Sequence, residues 1–386
     1  MNTKQSHNLT TTVIVSAIVA CFATASAFAG GGVVAIKAPS GSAGGAIDYA
    51  NAKPIPLPQS LSQPSSQLDS LLDAQAAGAA AAGPSGFYPG AAGTGKLSPL
   101  TLPAPASALD VSEDGGVTPQ EYGTSKQVYT TSRTNNYYGA GTYAATRSYP
   151  FSAAGRLWFK IGTASYVCSA SLVKKGVIVT AAHCVANFGK KQFYTAWQFA
   201  PGYDNNVAPF GISGYKAAYI KTSYYDGSDS CYQSGVVCQN DVAVIVLNTT
   251  VGNSTGWLGY GYGNYNYVNN QALITQLGYP VALDRGILQE RTDSQGYVSS
   301  SMAGNTIIGS LQTGGSSGGP WITNLGIAPS LSGTAFGSGA SHNAVVGVTS
   351  WGYTADAVKQ QGASPFTSNN IQSLITSACT AYPASC

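Results

Sequence analysis

From residue 127 onward, short runs of β-branched and aromatic residues alternate with turns rich in glycine, asparagine and serine. Runs of this kind are typical of antiparallel strands in a sandwich or barrel. One helical repeat follows them near the C-terminus, with Ser368 and Asn369 as candidate caps and apolar residues at Ile371, Leu374, Ile375 and Ala378. The pattern predicts an all-β body closed by a C-terminal helix, with strands at 155–160, 165–173, 176–181, 241–247, 273–278 and 345–351.

The first 29 residues have the layout of a secretory signal peptide. Lys4 supplies a positive start, residues 12–22 are apolar, and Ala27-Phe28-Ala29 offers a cleavage site between small residues. The apolar stretch is too short for a membrane span. We therefore expect secretion, either to the medium or to the periplasm. A lipoprotein motif that ends at Cys21 is the alternative, and it would anchor the chain through a lipid.

Residues 30–126 consist mainly of alanine, glycine, proline and serine, with few large apolar side chains. Such a segment buries too little surface to offset the entropy of ordering it. We interpret it as a pro-segment removed on maturation or as a linker, with order expected only in a short helical patch at Leu68, Leu71 and Leu72. The glycine- and tyrosine-rich stretch 252–270 is interpreted as a loop, or else as an exposed aromatic surface.

Six cysteines remain after the signal peptide, and they form three close pairs: Cys168 with Cys184, Cys231 with Cys238, and Cys379 with Cys386. An even number in an exported chain favours disulfides between these neighbours. Zinc is the alternative, but the chain has no CxxC spacing, so we expect no metal and no other cofactor. With 9% charged residues, a net charge of +3 and no basic block, nucleic acid is not an expected partner. We expect a monomer.

The glycine-rich segment 314–320 contains a candidate nucleophile, Ser317. A nucleophilic serine must present its Oγ on a tight turn, and glycine permits that backbone path. The same turn should point the N–H groups of Gly315 and Ser317 at a developing oxyanion. Taken alone, such a stretch fits an ordinary surface turn better than a nucleophile turn.

His183 and Asp241 complete a possible catalytic constellation. His183 ends an apolar run and adjoins Cys184, so a disulfide would hold its imidazole in place. Asp241 begins the most hydrophobic run of the domain, where a charge is costly to bury unless it is paired. Its carboxylate could accept a hydrogen bond from His183 Nδ1–H and thereby fix the tautomer.

Four blocks now resemble the hallmark motifs of the chymotrypsin/trypsin family in the family's order: TAAHC, NDVAVIVL, GGSSGGP and VTSWG. The resemblance covers residues 127–386 and is closest in character to bacterial V8-like glutamyl endopeptidases. It implies two six-stranded antiparallel β-barrels with a C-terminal α-helix. It also implies a serine endopeptidase that forms an acyl-enzyme, with peptides or proteins as substrates. His183 would be the base, Asp241 its orienting carboxylate and Ser317 the nucleophile. The substrate backbone would pair with Ser350-Trp351-Gly352.

The chain departs from its relatives around the primary specificity pocket. Ser316 stands where animal trypsins have the Asp that pairs with a new N-terminus, and Leu311 where trypsin has the pocket-floor Asp. Thr349 replaces the histidine of the V8-like enzymes. A pocket of Leu311, Thr349 and Gly352 predicts cleavage after uncharged, mainly apolar residues, because a charged side chain would lack a partner there. An insertion near Leu311 would instead bring Asp284 or Glu290 close.

Two other functions fit parts of the sequence. A catalytically silent relative could act as a binding or surface protein through its tyrosine- and glycine-rich faces, but such relatives usually lose a triad residue. An esterase could use the same triad. No nucleophile elbow between a strand and a helix is predicted, and the order His183, Asp241, Ser317 opposes an α/β-hydrolase.

Overall fold

A computed structural model describes residues 32–39, 46–55, 85–104, 127–135, 144–326, 341–353 and 358–386, and the backbone of 26–28. In chain order the strands are β1 (Ser26–Phe28), β2 (Val33–Lys37), β3 (Lys53–Pro54), β4 (Gly86–Tyr88), β5 (Leu100–Thr101), β6 (Tyr129–Arg133), β7 (Ala154–Ile161), β8 (Ala164–Lys174), β9 (Val177–Thr180), β10 (Ala186–Asn187), β11 (Gln192–Phe193), β12 (Thr195–Pro201), β13 (Val207–Ala208), β14 (Ser213–Lys221), β15 (Cys231–Gln233), β16 (Val236–Cys238), β17 (Ala243–Leu247), β18 (Gly259–Tyr262), β19 (Gln271–Gly278), β20 (Glu290–Ser299), β21 (Asn305–Gly309), β22 (Pro320–Thr323), β23 (Ala344–Gly352) and β24 (Gln360–Pro365).

The α-helices are α1 (Thr222–Asp226), α2 (Gly252–Thr255) and α3 (Ser373–Ala381), and a π-helical turn (Ser368–Gln372) leads into α3. Short 3-10 turns lie at Ala145–Arg147, Phe151–Ala153, Ala182–Cys184, Asp284–Gly286, Ser300–Met302 and Pro383–Ser385. None of the helices in the described part of the chain is both long and apolar enough to cross a membrane.

Two closed antiparallel barrels of six strands form the body. In the first barrel the order is β7-β8-β9-β17-β14-β12, and β12 pairs with β7 to close it. In the second the order is β19-β20-β21-β24-β23-β22, and β22 pairs with β19. The prediction of an all-β fold with two six-stranded barrels and a C-terminal helix is confirmed.

Hydrophobic runs form the barrel strands because a small barrel fills its interior with side chains. Every residue of β9 and of β17 is buried, so these strands show continuous apolar runs instead of alternation. The predicted strand at 241–247 in fact begins at Ala243. Asp241 therefore lies just before a strand, where its carboxylate can reach a neighbouring segment.

Parts of the low-complexity segment are ordered on the barrels, which differs from the sequence-based expectation. β2 pairs with β14, and Val33, Val34 and Ile36 are buried. β3 lies beside β8, and β4 lies beside β18. These short pieces gain backbone hydrogen bonds and burial from strands that already exist, so they need no core of their own. The predicted helical patch at residues 68–72 lies outside the described residues.

Two further segments differ locally from expectation. Within the stretch interpreted as a loop, Gly259–Tyr262 is the buried strand β18, which pairs in parallel with β23. The C-terminal helical segment is capped by Thr367, not by Ser368 or Asn369. The Thr367 side chain accepts from the Asn370 N–H, and the Asn370 side chain accepts from the Thr367 N–H, which forms a capping box.

Candidate active site

His183 lies in the turn that follows β9, and it is 3% exposed. A disulfide joins the adjacent Cys184 to Cys168 in β8. The other two disulfides are Cys231–Cys238, between β15 and β16, and Cys379–Cys386 at the C-terminus. The Cys168–Cys184 disulfide fixes the histidine turn against the first barrel.

The Asp241 carboxylate is bound on both oxygens. Oδ1 accepts from the His183 backbone N–H at 2.8 Å, and Oδ2 lies 2.8 Å from His183 Nδ1. Ser350 Oγ, from the second barrel, donates to Oδ2 at 2.6 Å. Because a carboxylate only accepts, the proton of the neutral imidazole resides on Nδ1 and Nε2 keeps a free lone pair. Ser350 was predicted to bind the substrate backbone, and its contact with Asp241 was not predicted.

Ser317 lies on a turn that both barrels hold. Its carbonyl accepts from the Ser169 N–H at 2.7 Å, and the next N–H, of Gly318, donates to Thr349 O at 2.7 Å. Gly318 has φ +76°, and a Cβ there would lie 2.0 Å from Thr180 Oγ1. The turn is therefore packed against the end of β9, the strand that leads to His183.

Neither the Gly315 N–H nor the Ser317 N–H donates a hydrogen bond within the described residues. Gly315 has φ +98°, and a Cβ there would lie 2.6 Å from Tyr279 O, so only glycine fits. Ser169 Oγ holds the backbone on the C-terminal side of Gly315: it donates to Gly315 O at 2.9 Å and accepts from the Tyr279 N–H at 3.0 Å. Two free N–H groups beside a candidate nucleophile form a possible oxyanion site.

Leu311 and Thr349, two of the residues predicted to form the specificity pocket, each make hydrogen bonds to polar side chains. Leu311 is half-buried, and its N–H donates to Thr131 Oγ1 on β6 at 3.3 Å. Thr349 is buried, and its Oγ1 accepts from Gln276 Nε2 and Trp321 Nε1, each at 2.9 Å. Trp351, in turn, donates from Nε1 to Asn305 Oδ1 at 2.9 Å. A network of buried amides and hydroxyls, which the sequence did not reveal, therefore surrounds this region.

The acidic side chains Asp284 and Glu290 form a cluster with Arg133 on β6. Arg133 binds both oxygens of Asp284. Burial, reinforced by a hydrogen bond to Asp284, raises the pKa of Glu290 to about 8. Burial acts in the same direction on Asp284, but hydrogen bonds to Arg133 and Glu290 leave its pKa below the usual value. This cluster fastens β6 to β20.

Possible metal ligands meet twice within the described ranges: Cys168 with His183 and Cys184, and Asp229 with Cys231 and Cys238. In each group the two sulfurs are joined in a disulfide, so neither can act as a thiolate ligand. These donor sets do not fit a metal ion.

The chain is thus a two-barrel protein with His183, Asp241 and Ser317 at the junction of its barrels. The trypsin family pattern matches residues 139–372. The chain belongs to the trypsin family.

Two curated proteins are similar to parts of the chain. An extracellular metalloprotease of Bacillus subtilis (strain 168) is 31% identical over 121 residues, which cover 30% of this chain and 35% of that protein. A glutamyl endopeptidase of Bacillus licheniformis is 24% identical over 135 residues, which cover 35% of this chain and 38% of that protein. The chain thus matches little more than a third of the length of either relative.

Three solved structures are also similar. The thermostable serine protease AL20 from an extremophilic microorganism is 22% identical, with a TM-score of 0.47, and the match covers 59% of this chain and 98% of that chain. The protease Anisep from Arthrobacter nicotinovorans is 25% identical, with a TM-score of 0.46 and coverages of 59% and 96%. A Glu endopeptidase is 20% identical, with a TM-score of 0.45 and coverages of 68% and 99%.

The Glu290 cluster predicts how stability depends on pH. A carboxyl group whose pKa is higher in the folded than in the unfolded state stabilises the fold below its unfolded pKa, and that contribution is lost as pH rises through the folded pKa. The melting temperature should therefore fall as pH rises from about 5 to about 9, with the window set by the folded pKa of about 8. The melting temperature of the Glu290→Gln variant should fall less over this pH range. Parallel melting curves for the wild type and the variant would contradict this.

Proposed function

We propose that the chain is a secreted serine endopeptidase that cleaves peptide bonds through an acyl-enzyme on Ser317. The main support for the proposal is the geometry around His183. Asp241 Oδ2 lies 2.8 Å from Nδ1, which leaves Nε2 as the free nitrogen of the ring. The turn that contains Ser317 packs against Thr180 at the end of β9, the strand that leads to His183.

The reaction would begin when His183 Nε2 takes the proton of Ser317 Oγ as that oxygen bonds to the substrate carbonyl carbon. The Gly315 and Ser317 N–H groups would receive the negative charge on the carbonyl oxygen. Asp241 stabilises the imidazolium through the Nδ1 hydrogen bond, and Nε2 then gives its proton to the leaving amine. A water molecule, activated by the same nitrogen, releases the acyl group from Ser317.

Secretion is supported by the signal-like residues 1–29 and by the three disulfides, which persist in oxidising compartments. We propose cleavage after Ala29. Cys21, the alternative site of a lipid anchor, lies outside the described residues.

We further propose that residues 30–126 are a pro-segment that keeps the enzyme latent. Its residues 46–55, here called the cleft strap, run beside the candidate site. Pro54 Cβ lies 3.2 Å from where a Cβ on Gly314 would be, next to the proposed oxyanion site. β3 runs parallel to Tyr166–Val167, just before Cys168.

The cleft strap is held by apolar burial and by side-chain contacts. Ile47 and Ala52 belong to the same buried cluster as Tyr279 and Val281, the residues beside Gly315. Ile55 is buried in the cluster that contains Cys168 and Cys184. At the other end of the strap the Asp48 N–H donates to Ser165 Oγ at 3.0 Å, and Tyr49 packs edge-on against Trp158. A strap docked in this way would exclude a substrate from the leaving-group side of the nucleophile.

Ser317→Ala tests the proposed nucleophile. We expect peptide hydrolysis to fall by about 10⁴-fold or more, because no other oxygen can attack, while the remaining site still exceeds the rate in water. Ser152→Ala is the control, since it also removes a buried serine hydroxyl, one that donates to Thr255 O at 2.7 Å. Turnover of a peptide substrate by Ser317→Ala at the control's rate would exclude Ser317 as nucleophile.

Ala52→Asp tests the cleft strap. A carboxylate at this buried position costs several kcal/mol to bury, more than the ~1.4 kcal/mol that a tenfold shift requires. The full-length variant should therefore hydrolyse a small peptide at least about tenfold faster than the full-length wild type. Ala46→Asp adds the same charge to the strap at an exposed position and should have no such effect. Equal rates for all three chains would show that the strap does not restrict access.

A further inference from the structure

The primary specificity pocket of the proposed endopeptidase should lie between two segments. One is the end of β23, where Ser350-Trp351-Gly352 would pair with the substrate backbone. The other is the segment from Leu311 to Gly314, which leads to the nucleophile turn. Gly352 has no side chain, so it leaves this space open from its own side. What fills the space decides which substrate side chain can enter it.

The Gln361 side chain bridges these two segments. Gln361 lies opposite Gly352 in the β23–β24 register, and its Cγ is 3.5 Å from where a Cβ on Gly352 would be. Its Nε2 donates to Gln312 O at 2.8 Å, on the other segment. Gln361 is 3% exposed. Because the Gln361 side chain contacts both segments, it occupies part of the pocket between them.

Buried partners hold the Gln361 carboxamide in this position. Its Oε1 accepts from Gln276 Nε2, and the same nitrogen donates to Thr349 Oγ1. Gln276 is fixed in turn by Ser310 Oγ, which donates to Gln276 Oε1 at 2.8 Å. A large substrate side chain would have to displace Gln361 and leave these buried groups unpaired, and each unpaired group costs free energy.

We propose that Gln361 determines the specificity of this site by closing the pocket, so that the residue before the cut is small: glycine, alanine or serine. This inference rests on the proposed endopeptidase function and narrows it. It replaces Leu311 as the residue that limits the pocket, and it narrows the predicted preference for uncharged, mainly apolar residues to small residues.

The test compares peptides that differ only in the residue before the cut, alanine or phenylalanine, using the secreted chain in its active form. The wild type should favour alanine in kcat/KM by about tenfold or more, in the range that pocket size controls. Gln361→Ala should raise the ratio of kcat/KM for the phenylalanine peptide to kcat/KM for the alanine peptide by about tenfold. Gln360→Ala is the matched control, because it removes the neighbouring buried glutamine of β24, which donates to Gln127 Oε1 at 2.8 Å.

A wild-type chain that cleaves after phenylalanine or leucine as well as after alanine would overturn the role of Gln361 and leave the proposed endopeptidase intact. So would a folded Gln361→Ala variant with an unchanged ratio of kcat/KM values. If that variant does not fold, the wild-type profile alone decides the question. A wild-type chain that cleaves no peptide, under conditions in which Ser317 is not labelled by a fluorophosphonate, would overturn both proposals.

Discussion

The buried carboxylate of Asp241 is the constraint on which the arrangement of the two barrels depends. An ionised carboxylate removed from water costs several kcal/mol unless hydrogen bonds replace its hydration. Here the first barrel supplies the His183 N–H and Nδ1, and the second barrel supplies Ser350 Oγ. A displacement of either barrel would remove at least one hydrogen bond from the Asp241 carboxylate. The hydrogen bonds that stabilise this charge therefore also fix the position of the His183 ring.

Ser169 makes the reciprocal connection from the first barrel to the nucleophile turn of the second. Its backbone N–H binds Ser317 O, and its hydroxyl bridges Gly315 O and the Tyr279 N–H. These contacts hold the segment Gly315–Ser317, whose Gly315 and Ser317 N–H groups would receive the oxyanion. The base and the nucleophile are therefore positioned by paired contacts across the junction, and neither barrel alone holds the site.

Much of this arrangement could be predicted from the sequence because it depends on short, local residue patterns. The buried strands β9 and β17 can be recognised from their continuous apolar runs. The turn around Ser317 can be recognised from its glycines. The Ser350 contact to Asp241 and the Ser169 bridge join residues far apart in the chain, and a serine in a strand carries no sign of its partner. Gln361 was missed for the same reason: its role depends on Gly352, which lies across a strand pair.

The ordered strands within the low-complexity segment were not predicted for a different reason. Its composition as a whole argues against a core, yet Val33-Val34-Ala35-Ile36 is a short apolar run that pairs with β14. Composition averaged over 30–126 hides such runs, because a few residues added to an existing sheet need no core of their own. The cleft strap shows the same behaviour, with Ile47, Ala52 and Ile55 as its buried residues.

In the proposed reaction Ser317 Oγ, activated by His183, attacks a carbonyl whose oxygen is received by two backbone N–H groups. A crystal structure of the protein after reaction with a fluorophosphonate tests it most directly. We expect a covalent bond from Ser317 Oγ to phosphorus. We also expect the phosphoryl oxygen to lie about 2.7–3.1 Å from the Gly315 and Ser317 nitrogens, with His183 Nε2 beside Oγ. An unmodified Ser317 in the folded protein, or an adduct whose phosphoryl oxygen points away from both N–H groups, would contradict it.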